Sequence, residues 1–176
     1  MLIDGIRNQA QKGMAVAIQG TSIKWVGPSS EAANLNTDGA DQKTLEFADG
    51  TLLAGMFDIH THTNMPGDGR TGEQVNEDDN DEIRLLRSAQ NAAAAIASGV
   101  TTMCDCGSWN RNGFALKEGL AEGLVEGPRV LVSAPPLSVT GGHLWYMGGE
   151  ADGIDAVRSR VRDMVCLLYT SDAADE

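Results

Sequence analysis

The first fifty or so residues alternate apolar and polar positions in short runs, which predicts β-strands rather than helices. Residues 15–19 and 23–26 flank a turn at Gly20, a pattern typical of a β-hairpin. The polar stretch 29–44 predicts a loop or a weak helix. Because strands and helices do not alternate here, the pattern predicts a small all-β module over residues 1–53.

From residue 54 onward the pattern changes, and short apolar runs are each followed by apolar residues at helical spacing. A polar, glycine-rich loop is predicted over 64–80. Asn80 or Asp81 is typical of the start of the first helix and Gly99 of its end, and Gly127-Pro128 ends the second helix. The predicted strands are 56–60, 100–104 and 130–132, and the helical apolar positions are Ile83, Leu86, Ala93 and Ile96, then Leu116, Leu120 and Leu124, then Ile154, Val157, Val161 and Met164.

This repeated strand–helix order is typical of a parallel α/β fold, for which two architectures fit, a doubly wound sheet and a barrel. A doubly wound nucleotide-binding sheet has a glycine-rich turn after its first strand, whereas this chain has His60-Thr61-His62 there. The barrel is therefore favoured. A complete (β/α)₈ barrel needs roughly 250 residues, and residues 54–165 contain about three βα units, so we expect a partial (β/α)₈ TIM barrel.

Residues 166–176 begin where a fourth strand is expected and then become acidic. They resemble translated sequencing-adapter sequence, and we expect them to be a non-native tail. An incomplete barrel leaves an open parallel edge. We therefore expect the 176-residue chain by itself to be poorly stable and inactive.

The amino-acid composition and net charge limit which binding partners and which cellular location are expected. Hydrophobic residues make up 41% and charged residues 22% of the chain, as in ordinary globular proteins. The net charge of -12 would repel phosphates, so nucleic acid is not expected as a partner. No apolar run approaches the roughly 20 residues of a membrane span, and no signal peptide is evident at the start. Three cysteines without framework spacing favour reduced thiols and a cytoplasmic location, with Cys104 and Cys106 as barrel-strand residues.

The candidate chemistry lies at the end of the first barrel strand. Residues i and i+2 of a strand face the same side, so His60 and His62 would both point into the barrel at its catalytic end. Two imidazoles about 7 Å apart along a strand can converge on one divalent cation. Asp58 shares their parity and either orients a histidine or packs lower in the barrel. A His-x-His pair is usually structural, but this strand position favours metal binding, and the chain has three histidines in all.

Several segments together resemble the amidohydrolase superfamily. Residues 55–62 resemble its Pro-Gly-x-x-Asp-x-His-x-His motif, with Ala54 in place of the proline. Residues 23–27 resemble its β-sandwich segment, and 99–105 and 127–131 resemble its second and third strand motifs. The loop 138–143 and Asp152-Gly153 resemble the branch of Xaa-Pro dipeptidases and imidazolonepropionase-like enzymes.

The resemblance implies a partial (β/α)₈ TIM barrel preceded by part of a small β-sandwich domain, and an N-terminal fragment of the whole enzyme. It implies that His60 and His62 bind a divalent metal, most simply one or two zinc ions, and that His143 contacts the scissile carbonyl. Trp145 and Tyr146 either line the pocket or pack the loop down. Relatives add a carboxylated lysine, further histidines and an aspartate from later strands, which this chain lacks.

The function implied is hydrolysis of an amide C–N bond by metal-activated water, with a dipeptide or an N-acyl amino acid as the small-molecule substrate. One alternative is a cyclic-amide hydrolase of the imidazolonepropionase type. Another is a non-catalytic barrel relative or an inactive fragment. A homo-oligomer of the full-length protein is left open.

Overall fold

The computed structural model describes residues 1–35 and 43–172, with side chains up to Leu167. The chain divides into two compact units, Met1–Ala54 and Gly55–Glu176, which are described separately. In the described ranges no helix is both long enough and apolar enough to cross a membrane.

The first unit contains two small sheets of two strands each. Strand β1 (Leu2–Ile3) pairs in parallel with β4 (Leu52–Leu53), and β2 (Met14–Gln19) pairs antiparallel with β3 (Ser22–Pro28). The β2–β3 pair confirms the predicted hairpin. A short 3₁₀ helix spans Ser29–Asn34, and the rest of the predicted loop or weak helix falls mainly on 36–42, outside the described residues.

The second unit is a parallel α/β layer with sheet order β5-β6-β7. Its strands are β5 (Met56–Thr61), β6 (Val100–Asp105) and β7 (Arg129–Val132), and its helices are α1 (Gly72–Asp78), α2 (Asp81–Ala97), α3 (Asn112–Ala121) and α4 (Gly153–Asp172). A 3₁₀ turn spans Trp145–Met147. The mixed α/β class is confirmed. The three described strands form an open sheet, so the partial (β/α)₈ barrel stays a prediction.

Three predicted elements are corrected. Helix α1 lies inside the predicted loop 64–80, where Thr71 and Gln74 form a capping box in which each side chain accepts from the other residue's backbone N–H. Helix α3 ends well before Gly127-Pro128. Residues 166–172 continue helix α4 where a fourth strand was expected, while 173–176 lie outside the described residues.

The main core lies between the helices and one face of the sheet. Met103 of β6 and Val130 of β7 are paired in register and pack with Ala92 of α2 and Leu116 of α3. The apolar face predicted for α2 is wrong, because Ile83, Leu86, Ala93 and Ile96 are all exposed. Helix α2 instead buries Arg84, Ser88 and Ala92.

A second cluster lies at the carboxyl edge of the sheet. Val75 of α1, Trp109 of the loop after β6 and Met147 of the loop after β7 are almost fully buried together. Arg84 carries its charge into this region, where its guanidinium donates to Asp81 and stacks 5.0 Å from the Trp109 ring centre. Helix α2 therefore buries polar residues because the loops of this edge pair with them.

Candidate functional site

The carboxyl ends of three neighbouring parallel strands form the edge at which the candidate site lies. Strand β5 ends at Thr61, opposite Asp105 at the end of β6, and Asp105 is in turn paired with Val132 at the end of β7. His60 is the penultimate residue of β5, and His62 directly follows the strand. The local spacing thus places both histidines at the edge where α/β proteins bind ligands.

The two imidazoles are close to each other. Their ring centres lie 5.5 Å apart and their planes are inclined by 80°. His60 is exposed, and its backbone N–H donates to Oδ1 of Asp58 at 3.3 Å. The sequence left open whether Asp58 orients a histidine or packs lower in the barrel. In the structure its carboxylate contacts the backbone of His60 rather than a histidine ring.

His62 is half-buried, and its ring is oriented by a backbone carbonyl. Its Nδ1 lies 2.8 Å from the Gly107 oxygen. A carbonyl can only accept a hydrogen bond, so Nδ1 must carry the proton. In the neutral ring this leaves the Nε2 lone pair free, which is the form of histidine that binds metals.

The conformation of Gly107 explains why a glycine stands there. Its φ of 153° is disfavoured for residues with a side chain, and an added Cβ would lie 2.7 Å from Cγ of Pro136. The same Cβ would lie 3.5 Å from Cε1 of His62. Glycine therefore lets the carbonyl approach the imidazole.

Asp105 is a buried carboxylate beside this contact, with 1% of its surface exposed. Its Oδ2 accepts from the Thr63 hydroxyl at 2.8 Å, and its Oδ1 accepts from the Gly107 N–H at 3.3 Å. Burial raises the pKa of Asp105, while the hydrogen bonds from Thr63 and Gly107 and attraction to His62 oppose that rise. Sequence reasoning did not single out Asp105 or Thr63, although an aspartate ending a predicted strand beside the histidine motif was a usable signal.

The residues present fit only part of a metal site. Neutral imidazole nitrogens suit zinc, which usually takes at least three protein ligands. Within residues 1–35 and 43–172, no group of three or more histidine, cysteine or acidic side chains is placed to hold a metal ion. His60 and His62 would therefore supply two of the required donors.

The nearby thiols are poor ligand candidates. Cys104 lies on β6 and Cys106 follows it, and both are half-buried. The Cys106 thiol lies 3.6 Å from the Ile59 oxygen and 3.8 Å from Sγ of Cys104. Burial and the neighbouring Cys104 raise the pKa of Cys106, which keeps it a thiol at neutral pH.

His143 is placed differently from the histidine pair. It is exposed on the loop after β7, and the structure does not bring it into a ligand group with His60 and His62. The preceding part of the loop is held by the Thr140 hydroxyl, which donates to Asp152, and by the Gly141 N–H, which donates to Glu150 at 2.7 Å. The expected contact of His143 with substrate stays a prediction.

One of the two aromatic residues after His143 takes the packing role, and the pocket role of the other stays a prediction. Tyr146 is stacked on Trp109 with ring centres 5.4 Å apart, so it packs the loop down. Trp145 is 40% exposed and meets Tyr146 edge to face.

Solved structures with the same fold come from several hydrolases. A Xaa-Pro dipeptidase with bound methionine in the active site aligns with a TM-score of 0.68 at 22% identity, over 92% of this chain and 43% of that one. A prolidase complexed with N-methylphosphonate-L-proline aligns with a TM-score of 0.67 at 24% identity, over 86% and 39%. The ochratoxinase of A. niger aligns with a TM-score of 0.67 at 20% identity, over 94% and 42%. The chain thus spans about two fifths of the length of these structures.

The family assignment comes from the sequence of the second unit. No curated protein matches the chain significantly. The amidohydrolase family profile matches residues 51–172, which is more than half of the 176 residues and includes both histidines of the β5 edge. The chain therefore belongs to the amidohydrolase family.

Proposed function

We propose that this chain forms part of a metal-dependent hydrolase of amide C–N bonds in which His60 and His62 bind the metal. The observation that carries the proposal is the orientation of His62. Its Nδ1 is engaged by Gly107, so Nε2 is available beside the His60 ring at the carboxyl edge of the sheet. Family membership supports the reaction class.

A bound zinc ion would supply a water of lowered pKa and a polarised carbonyl group. The chain's own contribution is to hold two imidazoles in ligand form and to present a third histidine on a neighbouring loop. His143 is exposed and its ring carries an N–H, so it can donate a hydrogen bond to the substrate's carbonyl oxygen or to its carboxylate. The remaining ligands and the proton-transferring group would come from strands that the structural relatives add.

The proposed substrate is a dipeptide or an N-acyl amino acid. Two of the similar structures hold an amino acid or an N-substituted proline, which supports a substrate with a free carboxylate. The alternative of a cyclic amide keeps the same metal site and differs in the loops that surround the ring. Turnover of dipeptides, acyl amino acids and cyclic amides by the longer protein would distinguish these substrate classes.

Titration of the longer protein with Zn²⁺, followed by calorimetry, tests the ligand assignment. We expect the double variant His60→Ala with His62→Ala to lose most of the binding, because no other described group is placed to chelate the ion. His143→Ala is the matched control, since it removes the third histidine and should leave Zn²⁺ affinity unchanged. Equal binding by the wild type and the double variant would refute the assignment.

A further inference from the structure

The loop after β5 and the loop after β6 meet residue by residue around His62. The His62 ring contacts Gly107, the Thr63 hydroxyl contacts Asp105, and the Asn64 side chain accepts from the Trp109 N–H at 3.2 Å. The three partners are a backbone carbonyl, a side-chain carboxylate and a backbone N–H at the end of β6 and in the loop after it. The position of His62 is therefore set by how firmly the two loops are joined.

Asp105 is the group that joins them on both sides of the His62–Gly107 contact. One of its carboxylate oxygens holds Thr63, the residue directly after His62. The other holds the N–H of Gly107, whose own carbonyl faces the His62 ring. Loss of the carboxylate would release the imidazole and its acceptor together.

The burial of Asp105 gives these contacts their rigidity. The side chain is almost fully buried at the end of β6, and its backbone is held by pairing with Val132. Hydrogen bonds to a carboxylate are stronger than those between neutral groups, and they gain further strength in a low-dielectric interior. Because Asp105 is held in place, its hydrogen bonds to Thr63 and Gly107 restrict the movement of both loops.

Resting on the metal-binding function proposed above, we propose that Asp105 is a positioning residue for His62. Through Thr63 and Gly107 it holds the His62 ring in the Nδ1-protonated form that leaves Nε2 for the metal. It acts without touching the ion or the substrate. Groups that orient a metal-binding histidine in this way typically change metal affinity by roughly 10- to 100-fold.

Two readouts on the longer protein test the proposal. The first is the tautomer of His62, read from the ¹⁵N shifts of its ring nitrogens by NMR without metal. The second is Zn²⁺ affinity by calorimetry. In Asp105→Ala we expect His62 to populate both neutral tautomers and Zn²⁺ affinity to fall roughly 10- to 100-fold. Asp105→Asn keeps an acceptor oxygen and should lie nearer the wild type.

A matched pair of threonines provides the control. Thr63→Val removes the hydroxyl that Asp105 holds and should reproduce part of the loss. Thr61→Val removes a hydroxyl that donates across the same two strands, but to the Cys104 backbone oxygen at 3.1 Å rather than to the Asp105 carboxylate. We expect the Thr61 variant to keep both the His62 tautomer and the affinity. If Asp105→Ala fails to fold, the threonine pair decides.

The outcomes separate this proposal from the one on which it rests. A single Nδ1-protonated tautomer and unchanged Zn²⁺ affinity in Thr63→Val and in any folded Asp105 variant would overturn the role of Asp105, even where His62→Ala abolishes binding. A change of tautomer in those variants, with Zn²⁺ binding insensitive to His62→Ala, would instead keep the positioning role and reject the metal site. Equal effects of Thr61→Val and Thr63→Val would also overturn the role.

Discussion

The loop after β5 and the loop after β7 both carry a histidine proposed for the site, but they are held in different ways. Around His62 the first loop is anchored by directional hydrogen bonds, which the loop donates to the buried Asp105 and accepts from the half-buried Asn91. The second loop is held before His143 by exposed hydrogen bonds to Asp152 and Glu150 and after it by apolar packing of Leu144 and Tyr146, and His143 itself stays exposed.

The difference corresponds to different chemical tasks. A metal ligand must present one nitrogen in one protonation state, so it needs a fixed ring. A group that meets a substrate is better placed on a loop that reaches solvent. The comparison therefore favours His62 as a ligand and His143 as a substrate contact, and the predictions below test it from the largest expected effect to the smallest.

The largest effect is expected for Trp109, which packs against both loops. Trp109→Ala removes a side chain with 1% exposure that stacks on Tyr146 and donates to Asn76. It should lower the free energy of unfolding by about 3–5 kcal/mol. Trp145→Ala, at a partly exposed position, should cost clearly less. Chemical denaturation of both variants measures this, and similar losses would remove the distinction between the buried and exposed aromatic residues.

The next effect concerns activity in the longer protein. His143→Ala should lower kcat/KM at least tenfold, and by roughly 10²–10³-fold if the side chain binds charge that develops in the transition state. A loss mainly in KM would indicate a carboxylate contact in the ground state. Val139→Ala, at an exposed position of the same loop, is the control. Steady-state kinetics with metal analysis would decide, because loss of metal in His143→Ala would make His143 a ligand.

A smaller effect on stability is expected at the anchors of each loop. The Asn91 amide donates to the backbone oxygens of Thr63 and Met65, both at 2.8 Å. Asn91→Ala should cost about 1–3 kcal/mol, since each lost hydrogen bond contributes about 1 kcal/mol and the carbonyls lose their donor. Glu150→Ala, which removes an exposed acceptor from Gly141, should stay within about 0.5 kcal/mol. The reverse order in thermal or urea unfolding would contradict the comparison.

The smallest effect is a difference in how stability depends on pH for Asp105 and Asp152, the carboxylates that hold the first and the second loop. Burial raises the pKa of Asp105, so its contribution to stability is complete below the unfolded value of about 3.9 and is lost as pH rises through the folded value. Hydrogen bonds from Thr140 lower the pKa of Asp152, so its contribution is present above that unfolded value and is lost as pH falls through the folded value.

The test is to measure unfolding free energies from pH 3 to pH 7, a range that spans the ordinary aspartate pKa of about 3.9. These values would separate the pH dependence of stability that Asp105 contributes from that of Asp152. Asp105→Asn should remove a component that falls with rising pH, and Asp152→Asn should remove one that rises. Changes of the same sign in both variants would show that the two carboxylates do not differ in this way.

Much of the second unit could be predicted because its signals are local. The apolar runs and helical spacings indicated β5, β6 and β7 with helices between them, and Asn80 does cap α2 by accepting from the Ile83 N–H. Helix α1 was missed because its polar composition outweighed the capping box at Thr71. That signal lies in the sequence and could have been used.

The buried stripe of α2 could not be predicted from periodicity. Hydrophobic spacing favoured Ile83 and Leu86, whereas the structure buries Arg84 and Ser88 one or two positions away. These polar residues are buried because their partners lie in the segment between β5 and α2: Arg84 donates to the Asn76 backbone oxygen at 2.9 Å, and Ser88 accepts from the Asn64 amide at 2.7 Å. A polar residue that finds its partners in a distant loop gives no periodic signal of burial.

By itself the sequence determined which strand carries the histidines and where on that strand they stand, because side-chain alternation along a strand depends only on local backbone geometry. It also determined family membership, since the amidohydrolase family profile matches residues 51–172. Only the tertiary structure decided which nitrogen of His62 is free, because that depends on the carbonyl of Gly107, 45 residues along the chain, and on the buried Asp105 that holds it. Hydrogen bonds between loops arise when the strands pair, and spacing along the chain does not encode them.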